Sequence, residues 1–167
     1  SINAGGGING RQIELIHYDT GGKAQDAVGY VKRLIKNDNV DLIVGGTTSG
    51  DTLAVIPEVE KEGIPLVSLA GAVDIVEPVK KWVFKVAHSD RMAAAKIFED
   101  LNKRKLTKVA LMTGDGGFDK SGHEQLLKLA PEYGITIVAD ESYGNKDTDI
   151  TAQLTKIRAT DAQAIIN

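Results

Sequence analysis

The hydrogen-bond donors gathered between Asp41 and Asp51 give this chain its first chemistry. Asp41-Leu42-Ile43-Val44 is followed by Gly45-Gly46, by Thr47-Thr48-Ser49, and by Gly50-Asp51 and a helical pattern. A short apolar run ended by glycines reads as a buried strand. The three hydroxyls then fall in the turn that opens the next helix. Ser49 or Asp51 can cap that helix, leaving backbone N–H groups aimed outward. A helix N-terminus carries partial positive charge, so N–H and O–H donors grouped there suit a carboxylate or a phosphate. The same residues also make an ordinary N-cap of an α/β protein, and this stretch alone leaves both readings open.

A second turn repeats the design. Ile64-Pro65-Leu66-Val67-Ser68-Leu69 reads as a strand, and Ala70-Gly71-Ala72 is a small-residue turn before Val73. If the two strands are neighbours in a parallel sheet, both turns lie at its carboxyl edge, where open α/β sheets bind ligands.

Other constellations fail on chemistry. Gly5 to Gly10 matches G-x-G-x-x-G, but the glycines precede a strand instead of following one and opening a helix. Gly114 to Ser121 imitates a phosphate loop ending in Lys120-Ser121. It has Asp119 where glycine must stand, and Asp115 adds a second carboxylate that repels a nucleotide. His17, His88 and His123 fall in three separate elements without zinc-ligand spacing. His88 lies at a candidate domain crossing. Ser49 has no G-x-S-x-G setting. No base, nucleophile and oxyanion hole assemble, so the sequence argues for binding and not for an enzyme, with no catalytic residue, cofactor or metal.

Composition sets the frame. The 167 residues are enough for one ordinary domain or two small ones, and 42% hydrophobic with 26% charged residues is the balance of a globular protein. A net charge of −3 with scattered basic residues gives no footprint for nucleic acid. Lys103-Arg104-Lys105, the densest basic run, falls at a helix end, where cations complement the dipole. The absence of cysteine excludes disulfides and thiol chemistry. No apolar run approaches membrane-spanning length and no signal peptide is present, but the chain opens at Ser1 and not at a methionine.

The elements that must position these turns alternate. Strands are expected over Gln12–Asp19, at Asp41–Val44, Ile64–Leu69, Trp82–Val86, Lys108–Thr113, Ile135–Ser142 and from Ala162. Helices are expected over Lys23–Lys36, Gly50–Glu62 (stopped by Gly63 and kinked at Pro57), from Ser89 through Leu101, Gly122–Tyr133 and Asp149–Arg158. Gly114 to Gly122 is expected to be a loop. Strand-helix alternation at this spacing implies parallel sheets built from βαβ units.

With these residues in view, the chain resembles the type I periplasmic solute-binding proteins of the leucine/isoleucine/valine group, which feed ABC transporters. The carriers are Gly7-Ile8-Asn9-Gly10-Arg11 before a strand, Val44-Gly45 leading to Ser49, and Gly63 to Ser68. Trp82-Val83-Phe84-Lys85, Phe118 to Gly122, and Asp147-Thr148-Asp149 through Ala152-Gln153-Leu154 are also similar. The resemblance implies an α/β fold of parallel-sheet βαβ lobes in three α/β/α layers, incomplete here. The first lobe would be residues 1–87, lacking its opening strand, and residues 88–167 would begin the second. It implies that Ser49, with Thr47 and Thr48 beside it, holds a ligand carboxylate. Ala70, Gly71 and Ala72 would line the ligand's polar end, and Phe118 would cover it from the second lobe. The implied partners are a small carboxylate or a branched-chain or other hydrophobic amino acid, and an ABC transporter membrane permease. The implied location is periplasmic or extracytoplasmic.

Two positions depart from the family pattern. Ala72 stands where Ser or Thr is common, and Phe118 where Tyr is common; both changes remove polar partners that a buried ammonium needs, which counts against an amino acid. An aromatic or an aliphatic carboxylate fits Ser49 and Phe118 about equally well. A ligand-sensing module of a receptor or transcription regulator is the related alternative, and an α/β enzyme acting on phosphate esters the more distant one. A chain this short leaves strand edges open, and self-association is expected of it if it is a truncated piece.

Overall fold

The computed structural model describes residues 1–144 and 146–167. The chain forms two α/β units, each built on a three-stranded parallel sheet. In the first, α1 (Ala24–Lys36) precedes β1 (Ile43–Val44), α2 (Ser49–Glu62), β2 (Leu66–Ser68) and β3 (Val83–Lys85). The sheet order is β1-β2-β3, with Val44, Val67 and Phe84 side by side in register. In the second, α3 (Asp90–Lys103), β4 (Lys108–Thr113), α4 (Gly117–Leu129), β5 (Thr136–Ser142), α5 (Thr151–Arg158) and β6 (Ala164–Ile166) follow in turn, with β4 central in the order β5-β4-β6.

Each sheet is held by the helices laid on it. Ala27 and Val31 of α1 and Val55, Ile56 and Val59 of α2 bury against Ile43, Leu66 and Val83. The opposite face of that sheet carries Val44 and Phe84, 63% and 54% exposed. Successive residues of β4 point to opposite sides. Val109 and Leu111 therefore pack on Ala94 and Phe98 of α3 and Leu126 of α4, while Ala110 and Met112 meet Ile157 of α5. That layering makes β4 the most buried strand, as expected where helices cover both faces of a parallel sheet.

Several expectations need correction. Gln12–Asp19 is not a strand. Ile13 has its N–H and C=O taken by the Asn3 side chain, at 2.8 and 2.7 Å, and among the described residues no neighbouring strand offers a ladder. Its alternating apolar residues face outward, Leu15 being 87% exposed. The cap of α2 is Thr48, whose Oγ1 accepts the Asp51 N–H at 3.2 Å, and not Ser49 or Asp51. Helix α4 begins at Gly117, five residues earlier than Gly122, so Phe118 stands in a first helical turn and not in a loop. The early start follows from Asp119, whose Oδ2 accepts the Gly116 N–H at 3.1 Å and closes the turn from within. The expected cap at Ser89 is present: its Oγ accepts the Met92 N–H at 3.2 Å.

Candidate functional site

The parallel pairing of β1 with β2 sets both small-residue turns side by side at the carboxyl edge of the first sheet. Buried hydroxyls bind them together. Thr52, fully buried, places Oγ1 3.2 Å from Gly46 O, 3.0 Å from Thr48 O and 3.2 Å from Ser68 Oγ. Ser68 Oγ accepts the Ala70 N–H at 3.1 Å, and Ser49 Oγ accepts the Ala72 N–H at 3.1 Å. Polar groups removed from water need such partners, and here those partners are each other.

A cleft of about 650 Å³ opens over this edge, between the two units. From the first unit it is lined by Thr47, Thr48, Ser49, Gly50 and Asp51, and by Leu69 and Gly71. From the second come Gly116, Gly117, Phe118 and Asp119, with Ala87 and His88 at the crossing. Two helix N-termini therefore face this space. Among the described residues, the N–H groups of Ser49 and Gly50 at the start of α2, and of Gly117 and Phe118 at the start of α4, have no backbone acceptor. These are the orphan donors that open any α-helix, each set at the positive end of a dipole.

The two starts touch. A Cβ on Gly117 would stand 2.8 Å from the Gly50 nitrogen, so only a residue without a side chain lets the helix ends come this close. Two carboxylates border the cleft and both are partly engaged: Asp51, 5% exposed, has Oδ2 accepting from Thr20 Oγ1 at 2.9 Å, and Asp119 Oδ2 accepts the Gly116 N–H. The crossing itself is tied by Lys85, whose ammonium donates to Ala87 O at 2.6 Å and His88 O at 2.8 Å. Burial pulls the Lys85 pKa below its ordinary value, while the Asp90 carboxylate pulls it back up.

The structure places Thr47, Thr48, Ser49, Gly71 and Phe118 together at the cleft. Thr47 and Thr48 are exposed to it, while Ser49 is only 2% exposed and has its oxygen engaged with Ala72. Ala70 and Ala72 turn away from the cleft into the first core, where they pack with Ile43 and Val55. What their turn presents to the cleft is Leu69 and Gly71. Thr52, Asp90 and Asp119 are parts of the arrangement that sequence reasoning missed. Thr52 lies four residues after Thr48, the helical spacing at which a threonine hydroxyl reaches back to a carbonyl. Among the described residues no group of three or more His, Asp or Glu side chains is placed to hold a metal ion.

Comparison with known proteins gives a consistent answer. Residues 1–167 match the family model described as periplasmic binding protein. Leu/Ile/Val-binding protein homolog 7 of Brucella abortus is 27% identical over 175 aligned residues, which take in 99% of this chain and 44% of that protein. The leucine-, isoleucine-, valine-, threonine-, and alanine-binding protein of Pseudomonas aeruginosa is 26% identical, over 98% of this chain and 44% of its own length. The chain thus spans somewhat less than half the length of the curated relatives it matches. Among solved structures, the branched-chain amino acid transporter substrate binding protein LivJ of Streptococcus pneumoniae, in complex with isoleucine, superposes with a TM-score of 0.81. It is 31% identical, over 98% of this chain and 47% of that one. A type 1 periplasmic binding protein of Bordetella pertussis superposes at 0.89 with 28% identity, over 98% of this chain and 46% of that one.

Proposed function

The chain belongs to the periplasmic binding protein family, and from that premise we propose that it serves the extracytoplasmic solute-binding component of an ABC importer. Its ligand is a small carboxylic acid held in the cleft between two lobes, residues 1–87 and 88–167 contributing one wall each, and the loaded protein presents it to a membrane permease. The observation that carries this reading is the pair of helix N-termini, α2 and α4, opening on one space with unpaired amides and flanking threonine hydroxyls. Such a place attracts an anion on two sides. Thr47, Thr48 and the amides of Ser49 and Gly50 hold the carboxylate, and Phe118 closes over it.

The ligand class includes hydrophobic amino acids. Asp51 and Asp119 lie at the same cleft, so an ammonium has carboxylates to face even though Ala72 and Phe118 offer it nothing. The likeness to the leucine-, isoleucine-, valine-, threonine-, and alanine-binding protein of Pseudomonas aeruginosa and to LivJ in complex with isoleucine supports the same class.

The test is a thermal-shift screen of the full-length protein against aliphatic and aromatic amino acids and their deaminated counterparts, followed by calorimetry. A ligand at a hundredfold its dissociation constant stabilises the folded state by about 2.7 kcal/mol. Stabilisation by phosphate esters alone, with no response to any carboxylic acid, overturns the reading.

A further inference from the structure

The turn from Ala70 to Val73 is gripped from both units at once. From the first, Ser49 Oγ takes the Ala72 N–H. From the second, Asp90 binds it twice: its N–H donates to Gly71 O at 3.0 Å, and its Oδ1 accepts the Val73 N–H at 3.1 Å. Nearby, the Leu69 N–H donates to Gly46 O and the Ala70 N–H to Ser68 Oγ. Gly71, at the centre, lines the cleft and supports the Phe118 ring.

Asp90 is an odd residue for a structural duty alone. It is 3% exposed, and its Oδ2 is buried without a hydrogen-bond partner among the described residues. The cap of α3 is supplied by Ser89, so that helix does not need the Asp90 carboxylate as its cap. Two cations lie near it and neither charged group bonds it: the Lys85 ammonium feels its charge but donates to Ala87 O and His88 O, and Arg91 is engaged elsewhere. Arg91 forks onto Glu77, at 2.9 and 3.0 Å, and its Nε donates to Gln125 at 2.9 Å. Burying a carboxylate with one oxygen unmet is unfavourable. Its Oδ1 accepts the Arg91 N–H of its own helix at 2.7 Å and, across the units, the Val73 N–H, while the Asp90 N–H holds Gly71 O.

We infer that Asp90 is a positioning residue of the ligand site, acting from the second lobe to fix the Ala70–Val73 turn in the shape that receives ligand. This deepens the solute-binding role proposed above and rests on it. Asp90 does not line the cleft. It acts through the turn, which is the wall that Phe118 must meet when the site closes. Because Asp90 stands two residues beyond His88, the same clamp ties that wall to the crossing between the units.

The experiment compares Asp90→Ala, Asp90→Asn and Ser89→Ala in the full-length protein. Ser89→Ala removes the cap of the same helix without touching the turn. Amide hydrogen exchange at Val73 is read without ligand, and binding of L-leucine and of 4-methylpentanoate is read by calorimetry where every variant is folded. Asp90→Ala is expected to speed Val73 exchange and weaken the bound probe by about tenfold, as loss of one buried hydrogen bond implies. Asp90→Asn, which keeps Oδ1, restores both. If Ser89→Ala, at equal loss of stability, changes exchange and affinity as much as Asp90→Ala, the assignment falls. Should Asp90→Ala fail to fold, Asp90→Glu keeps the charge but misplaces the acceptor; wild-type exchange at Val73 in that variant overturns the inference. If the wild type binds neither probe, the proposed ligand class fails, while Val73 exchange still decides for or against Asp90.

Discussion

The ring of Phe118 rests on Gly71: a Cβ added there would stand 2.7 Å from Phe118 Cε2 and 3.1 Å from Cδ2. The contact joins α4 of the second unit to the turn after β2 of the first. Phe118 stays 48% exposed and lines the cleft. An aromatic side chain held on one side and open on the other is suited to covering a bound molecule.

Gly71→Ala should therefore push the ring off its seat. Overlap that short cannot be absorbed without moving Phe118, so the cover over the site is displaced while the donors of α2 stay in place. Ligand release from the full-length protein, followed by stopped-flow fluorescence, should quicken by roughly tenfold with association little changed. An unaltered release rate would show that the ring does not cover the ligand.

Phe118→Ala removes the cover outright and should act in the same direction, more strongly. The double variant should release ligand no faster than Phe118→Ala alone, because two changes acting through one ring are not additive. Additive effects would place the two residues in separate roles.

Ser49→Ala should show two consequences. The Ala72 N–H loses its acceptor within a buried turn, at a cost of about 1–3 kcal/mol measured by urea denaturation. Affinity for the carboxylic acid should fall too, because the α2 amides are then less firmly placed and a hydroxyl near the anion is gone. A variant that loses stability while binding normally would restrict Ser49 to a structural part.

Thr52→Val preserves shape but deletes the hydroxyl shared among Gly46, Thr48 and Ser68. The expected loss of stability is about 1–2 kcal/mol. Wild-type stability in chemical denaturation would mean that the hydroxyl network is not holding the two turns together.

Most of the fold was legible because its signals are local. A continuous apolar run ended by a glycine located β4 at Lys108–Thr113 to the residue, and small residues after β1 and β2 marked the carboxyl edge. Gln12–Asp19 misled because alternation reports a potential face, whereas a strand also needs a neighbour to bond. The start of α4 was misplaced because glycines suggested a loop, while the Asp119 side chain closes a helical turn through them. Asp90 was invisible for a different reason. Its importance lies in a hydrogen bond to Val73, seventeen positions away, and no periodicity carries that information.

The donors that open α2 and α4 belong to the main chain, and this bears on how such a cleft evolves. Apart from proline, no substitution at Ser49, Gly50, Gly117 or Phe118 deletes an amide proton. Mutational drift can therefore recast the walls, and with them the choice among acids, while the pull on a negative end persists. A lineage built on this plan can change its diet without first losing its appetite for anions.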